Sequence, residues 1–293
     1  QQRVGNRHWS GEGANGVARE AVDSLTPDGV MPTFTEGLGF WGRLEGSARS
    51  NESDVSTSSV TYDQNIFRLQ NGLDLELADT EAGRLIGGVA VHYRRGTSEI
   101  ASPHGVGGIS TDGYGFGGTL TWYGNNGFYV DGQSHVTWYD SDLTSTTANR
   151  ALAAGNDSFG YALSLEAGQR IELDNGLSLT PQAQLVYSDV GFDGFIDPFG
   201  ARISLENGDS LRGRVGIALN HESVWTGDDG TLSRRKLYGI ANLHYEFLDG
   251  PKVDVAGVTF ANSAERPWGE IGVGGSYNWN DDKYALHAEG SVA

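Results

Sequence analysis

From about residue 40 to the end, apolar and polar side chains alternate with a period of two, in eleven segments. Alternation of this kind marks strands with one apolar and one polar face. The clearest pair is Leu120-Thr121-Trp122-Tyr123 and residues 128–138, joined by little more than Gly124-Asn125-Asn126-Gly127. In the second of these, Phe128, Val130, Ser134, Val136 and Trp138 share one face, and Tyr129, Asp131, Gln133, His135 and Thr137 the other. The remaining segments fall at about 40–49, 64–77, 85–96, 158–173, 177–189, 209–222, 235–248, 267–279 and 283–293. Strands with titratable side chains on one face sit poorly in a soluble core, which excludes charge. They suit a transmembrane β-barrel, with lipid outside and water inside.

The connections support the barrel. Short turns at 78–84, 125–126, 174–176, 225–230 and 281–282 alternate without exception with long connections at about 50–62, 97–112, 140–157, 190–208 and 249–266. Bacterial barrels place short turns in the periplasm and long loops outside. A soluble β-sandwich accounts for the polar faces but not for this alternation. Trp122, Tyr123, Phe128, Trp138, Tyr187 and Trp279 are expected at strand ends, as interfacial girdles require. If the first strand rises from the periplasm, the eleventh rises too. Single-chain bacterial barrels have even strand numbers, and an open edge in lipid is costly. A twelfth strand, with its loop roughly 20 residues, is therefore expected beyond Ala293.

Composition alters this picture little. The 293 residues suit one β domain, 37–293, with an N-terminal appendage, 1–36. No run approaches the roughly 20 apolar residues of a spanning helix. The mean hydropathy of −0.38 speaks only against helical membrane proteins, since a barrel shows lipid only half of each strand. A formal net charge of −18 makes nucleic acid an unsuitable partner. The absence of Cys removes disulfides, thiol nucleophiles and Cys-based zinc sites, and suits export through an oxidising compartment. Gln1 is not an initiator Met and no signal peptide precedes it, as expected of a processed or excised piece. Residues 14–25 (ANGVAREAVDSL) form the one convincing helical stretch, stopped by Thr26-Pro27-Asp28-Gly29.

An ordered set of motifs adds a family to the fold: residues 40–46 (FWGRLEG), 63–74 (DQNIFRLQNGLD), 111–115 (TDGYG), 127–131 (GFYVD), 179–185 (LTPQAQL), 192–201 (FDGFIDPFGA) and 209–216 (DSLRGRVG). In this order they resemble the C-terminal translocator domain of classical autotransporters, the type Va secretion proteins of Gram-negative bacteria. The resemblance covers about 40–293. It implies a twelve-stranded antiparallel up-and-down barrel in the outer membrane, with an N-terminal helix threaded through the lumen. It also implies export of an N-terminal passenger to the cell surface. The partners it implies are the passenger, the outer-membrane assembly machinery, and outer-membrane lipid with lipopolysaccharide, around a monomeric barrel. Two features depart from the family: no terminal strand with a final aromatic matches, and Asn6 and Asn15 are isolated where self-cleaving members carry an Asn-Asn pair.

The side chains expected to line the lumen as a polar conduit are Arg43, Glu45, Arg68, Asp74, Glu76, Arg94, Asp131, Glu166, Arg170, Arg212, Arg214, Glu246, Glu270 and Glu289. The plainer reading is that they only keep the lumen soluble and pair with one another. His92, His135, His244 and His287 also face inward, on strands too scattered to converge on a metal. No Gly-x-Ser-x-Gly elbow occurs, so neither catalysis nor a cofactor is expected. Residues 192–200 read as a β-hairpin extension above the membrane in preference to a lid. The expected function is an outer-membrane translocator. The alternatives are a passive porin or adhesin-like surface-binding barrel and, more remotely, a lipid-modifying enzyme.

Overall fold

The computed structural model describes residues 8–9, 12–13, 38–52, 61–103, 105–227, 230–250, 252–261, 267–280 and 284–293. The expected helix at 14–25 and the boundary at 36 lie outside the described residues. A short N-terminal ladder pairs β1 (His8–Trp9) with β2 (Glu12–Gly13). The wall begins with β3 (Leu38–Glu52), β4 (Thr61–Thr80), β5 (Gly83–Ser102), β6 (Gly105–Gly124), β7 (Phe128–Ser145) and β8 (Arg150–Gln169). A break at Arg170 leads into β9 (Ile171–Glu172) and a 3-10 turn at Asp174–Gly176, where Asn175 takes a φ of 60°. Next come β10 (Leu177–Phe192), β11 (Phe195–Ile196), β12 (Arg202–Asn207), β13 (Asp209–Thr226) and β14 (Leu232–Glu246). The chain continues with β15 (Lys252–Val255), β16 (Val258–Ala261), β17 (Trp268–Trp279) and β18 (Tyr284–Val292).

The main sheet runs β18-β17-β14-β13-β10-β8-β7-β6-β5-β4-β3, every neighbouring pair antiparallel. This is an up-and-down meander of the eleven strands that the alternation predicts, with β9 attached to β10. Among the described residues no ladder joins β3 to β18. Both edges come close to His8–Trp9, so the sheet curls round toward itself.

Burial is inverted relative to a soluble protein. Phe40 is 72% exposed, Val273 70% and Leu286 68%, whereas Asp131 is 1%, Glu166 3% and Arg214 4%. The large apolar side chains form the outer surface and the charged ones pack inside. Lipid in place of water as the outer solvent makes this arrangement favourable. No described helix is long and apolar enough to cross a membrane.

Two sequence expectations change. Among the described residues, the long connections are mostly strand, not loop. β5 and β6 run 20 residues each, and their connection shrinks to residues 103–104. A tilted strand needs only about 9–11 residues to span the bilayer, so the rest projects beyond it. Trp138 consequently lies inside β7, which continues to Ser145, and not at a strand end. The second change concerns residues 192–200. They do form a hairpin, β11 with β12, but β12 also pairs with β15 and β15 with β16. The fourth and fifth long connections therefore share a separate four-stranded sheet, β11-β12-β15-β16.

Candidate functional site: the polar wall of the barrel

Strand register dictates which inward side chains meet. Asp131 stands opposite Glu166, and Glu166 opposite Gln184, which stands opposite Arg214 and so on to His244. From these neighbours a lateral belt of hydrogen bonds forms. Tyr129 Oη donates to Glu166 Oε1 at 2.8 Å and lies 3.1 Å from Gln182 Oε1. Arg214 Nη2 donates to Glu166 Oε2 at 2.5 Å, Nε to Gln184 at 3.1 Å and Nη1 to Asn242 at 3.3 Å. Asn242 Nδ2 and His244 Nε2 each reach Glu270 Oε2 at 3.0 Å. Asp131 accepts from Thr121 Oγ1 at 2.5 Å and Gln133 Nε2 at 2.6 Å. Such charge-assisted contacts allow buried ions to persist in a low-dielectric wall, while Gln182 Nε2 and His244 Nδ1 find no hydrogen-bond partner among the described residues.

Other predicted residues fall into smaller groups. Glu246 accepts from Ser210 Oγ at 2.6 Å and the Leu211 amide at 2.9 Å, with Arg212 Nε at 3.9 Å. The Arg212 guanidinium lies 5.0 Å over Trp268, whose ring stacks on His244. Glu289 accepts from the Tyr238 hydroxyl. At the short-turn end, Arg170 bonds Glu172 and meets Glu222 at 3.5 Å, while Glu76 meets Arg84 at 3.5 Å. Near the first edge, Glu45 serves both Arg43 at 2.7 Å and Arg68 at 3.3 Å. Arg68 stands directly opposite Arg94, and the Nε of each is buried without a hydrogen-bond partner among the described residues. Asp74 is 2% exposed and packs over Gly88, where an added Cβ would fall 2.1 Å from Oδ1.

Strand β6 shows why these bulky groups fit. Its inward positions are Gly113, Gly115 and Gly117, and side chains from both neighbours lean over them. An added Cβ would fall 2.7 Å from Tyr139 at Gly113, 2.6 Å from His92 at Gly115 and 2.3 Å from His135 at Gly117. This space lets two of the four inward histidines meet. The His92 and His135 rings meet edge to face at 5.9 Å, and His92 Nε2 lies 2.9 Å from Thr137 Oγ1. His244 and His287 stand elsewhere, on Glu270 and on the Gly275 carbonyl. No cluster of three or more metal-ligating side chains occurs among the described residues.

Sequence reasoning missed the neutral connectors Gln182, Gln184 and Asn242 as part of the belt, and the ion-pair partners Glu222 and Arg234, which meet at 3.4 Å. All share the inward parity of their strands; choosing only charged residues left out the three amides, while Glu222 ends the expected segment 209–222 and Arg234 falls just before the one at 235–248. Chemically, the wall offers paired ions, amides and hydroxyls, a surface that hydrates a chain without an apolar pocket to trap it.

An antiparallel meander with an apolar exterior and a hydrogen-bonded polar interior defines the wall of a membrane-spanning barrel. The autotransporter beta-domain family model matches residues 40–291, and the chain belongs to that family. Members are integral outer-membrane barrels, and this domain is one of them. It is 44% identical over 290 residues to the adhesin BmaC autotransporter of Brucella suis biovar 1 (strain 1330), covering 99% of this chain but 8% of that protein. The chain thus spans only a small part of that relative's length. In fold it is similar to the transport unit of the autotransporter AIDA-I from Escherichia coli, with a TM-score of 0.68, 16% identity and 94% of each chain covered. The β domain of the Bordetella autotransporter BrkA gives a TM-score of 0.62 at 22% identity, covering 87% of this chain and 94% of that one.

Proposed function

We propose that this domain anchors an N-terminal passenger in the outer membrane and exports it to the cell surface, through or alongside the barrel. The observation that carries the reading is the sealed belt from Tyr129 through Glu166, Arg214 and Asn242 to Glu270. Its members satisfy one another laterally. They stiffen the wall and leave no strong unpaired ion to hold a passing chain at one place. The fourteen charged side chains named from the sequence act on this reading as the conduit lining. The helix expected at residues 14–25, outside the described residues, is assigned on this reading the role of linking passenger to barrel. The partners are the passenger, the assembly machinery, and outer-membrane lipid with lipopolysaccharide; no reaction and no cofactor is assigned.

The test is to join a tagged reporter upstream of residue 1 and expose intact cells to protease. Export predicts surface cleavage of the reporter, lost when β17 and β18 are removed. A passive porin or surface-binding barrel predicts a periplasmic, protected reporter and a conducting channel. A second measurement concerns the helix: deleting residues 1–36 should raise single-channel conductance in a planar bilayer. Unchanged conductance would remove the plugging role.

A further inference from the structure

Positive charge gathers on one part of the inner wall. One inward row across β3 to β7 runs Glu45, Arg68, Arg94, Gly113 and Tyr139. Arg43, the inward neighbour of Glu45 on β3, shares that carboxylate with Arg68, at 2.7 Å and 3.3 Å. Arg94 forms neither an ion pair nor a hydrogen bond among the described residues, and its Nε is buried, as is that of Arg68. Three guanidiniums thus stand over one carboxylate, a surplus of two positive charges. The adjoining inward rows of β4 and β5 do not offset it. They hold Ile66 with Gly96 and Gln64 with Ser98 on one side, Gln70 with His92 and Gly72 with Ala90 on the other, and no carboxylate. Space is left beside Arg94: an added Cβ at Gly96, the next inward position of β5, would meet nothing within 4 Å. On the other flank Gly113 has no side chain, and the Tyr139 ring lies over it, 2.7 Å from an added Cβ.

We propose that Arg68 and Arg94 hold a dianionic tetrahedral oxyanion of the phosphate class on the inner wall. Like charges directly opposed in a ladder repel, and a buried guanidinium N–H without an acceptor is costly. A buried donor needs an acceptor, and the surplus charge selects an anion over water. The size of that surplus selects the kind of anion. Chloride brings a single charge and no shape that matches a guanidinium fork. A lone carboxylate matches one fork and cancels half of the surplus. Phosphate brings both charges, and its tetrahedral oxygens accept from two guanidiniums at once, each in the planar, bidentate manner that suits arginine. Lys and ordinary surface arginines offer nothing comparable here: the outward neighbour Arg95 is already paired with Asp112 at 3.6 Å. Bound between them, the dianion ties β4 to β5 and cancels the repulsion across their ladder. The assignment goes beyond export and does not depend on it; it requires only that this face line the lumen.

The folded domain, purified in mild detergent, would be titrated calorimetrically with sodium phosphate at mildly alkaline pH, in a chloride background of constant ionic strength. Sodium acetate and glycerol 3-phosphate would be titrated in parallel. The expected result is one phosphate per domain, bound roughly tenfold or more tightly than acetate. Glycerol 3-phosphate presents the same dianion as an ester: binding weaker than phosphate assigns the site to the free ion, and tighter binding assigns it to a monoester. Arg94→Gln should weaken phosphate about tenfold, the loss of one charged hydrogen-bonding partner. Arg95→Gln, one residue away on the opposite face, should leave the affinity unchanged. Heat-modifiable gel mobility reports that each variant remains folded. Phosphate held no more tightly than acetate, full affinity in a folded Arg94→Gln protein, or equal weakening by Arg95→Gln would overturn the assignment. If Arg94→Gln fails to fold, the anion series on the unaltered protein decides alone. Failure of the unaltered domain to reach a heat-modifiable fold would overturn the barrel reading itself, whereas a folded domain without phosphate preference would overturn this assignment only.

Discussion

The two arcs of the inner wall solve the same electrostatic problem differently. From β7 to β17 the ions of the belt each meet an opposite charge or several dipoles, and Glu166 and Arg214 sit with side chains only 3% exposed at 2.5 Å. From β3 to β5, one carboxylate, Glu45, serves two guanidiniums, and Arg68 faces Arg94 across the ladder. Solvent access differs in part: the Arg43 and Arg68 side chains retain 30% and 19% exposure, although the Nε of Arg68 and of Arg94 is itself buried. Where water is excluded, every charge needs a partner. One arc is a structural brace; the other stays electropositive and open to an acidic chain.

The comparison breaks most readily at its most buried pair. Arg214→Met leaves Glu166 charged and dry, and should cost about 3–5 kcal/mol in urea unfolding of the micelle-folded domain. The double change Arg214→Met with Glu166→Gln should recover a large part of that loss. If the double variant is no more stable than the single one, the pair is not the brace. The outer face gives the next effect: Val136→Arg or Leu73→Arg should cost about 2–4 kcal/mol near mid-membrane. Normal stability of both would place that face in water. The open arc should respond least, and with the opposite sign. Like charges directly opposed in a ladder are destabilising by about 0.2–1 kcal/mol, so Arg94→Gln should raise stability by that amount. A loss of stability in the same unfolding experiment would mean that Arg94 is held by a partner.

Period-two alternation made the wall legible because one residue of register error would turn every Leu inward and every Asp into lipid. The strands around Leu73 and Asp74, or Leu243 and His244, allow only one facing. Parity also identified the charged members of the inner wall. It could not say who touches whom, because lateral contacts depend on register between strands far apart in sequence. His92 and His135 meet only because β6 offers Gly115 and Gly117 between them. The four-stranded outer sheet escaped for another reason. Its strands are two to six residues long, too short for a period to show, and β12 meets β15 across 45 or more positions of chain. Loop lengths misled as well, since polar residues in a strand projecting into water resemble loop.

The central claim is that β7 separates lipid from water with a period of two, and the chain's lack of cysteine makes this directly measurable. Single cysteines at 130, 133, 135 and 136, placed in the vesicle-inserted domain, would be treated with a membrane-impermeant maleimide and, separately, labelled with a fluorophore and exposed to nitroxide lipids. The account predicts reaction with maleimide at 133 and 135, and strong nitroxide quenching with little aqueous reaction at 130 and 136. Uniform aqueous reaction along the strand, or quenching at 133 and 135 in place of 130 and 136, would contradict it.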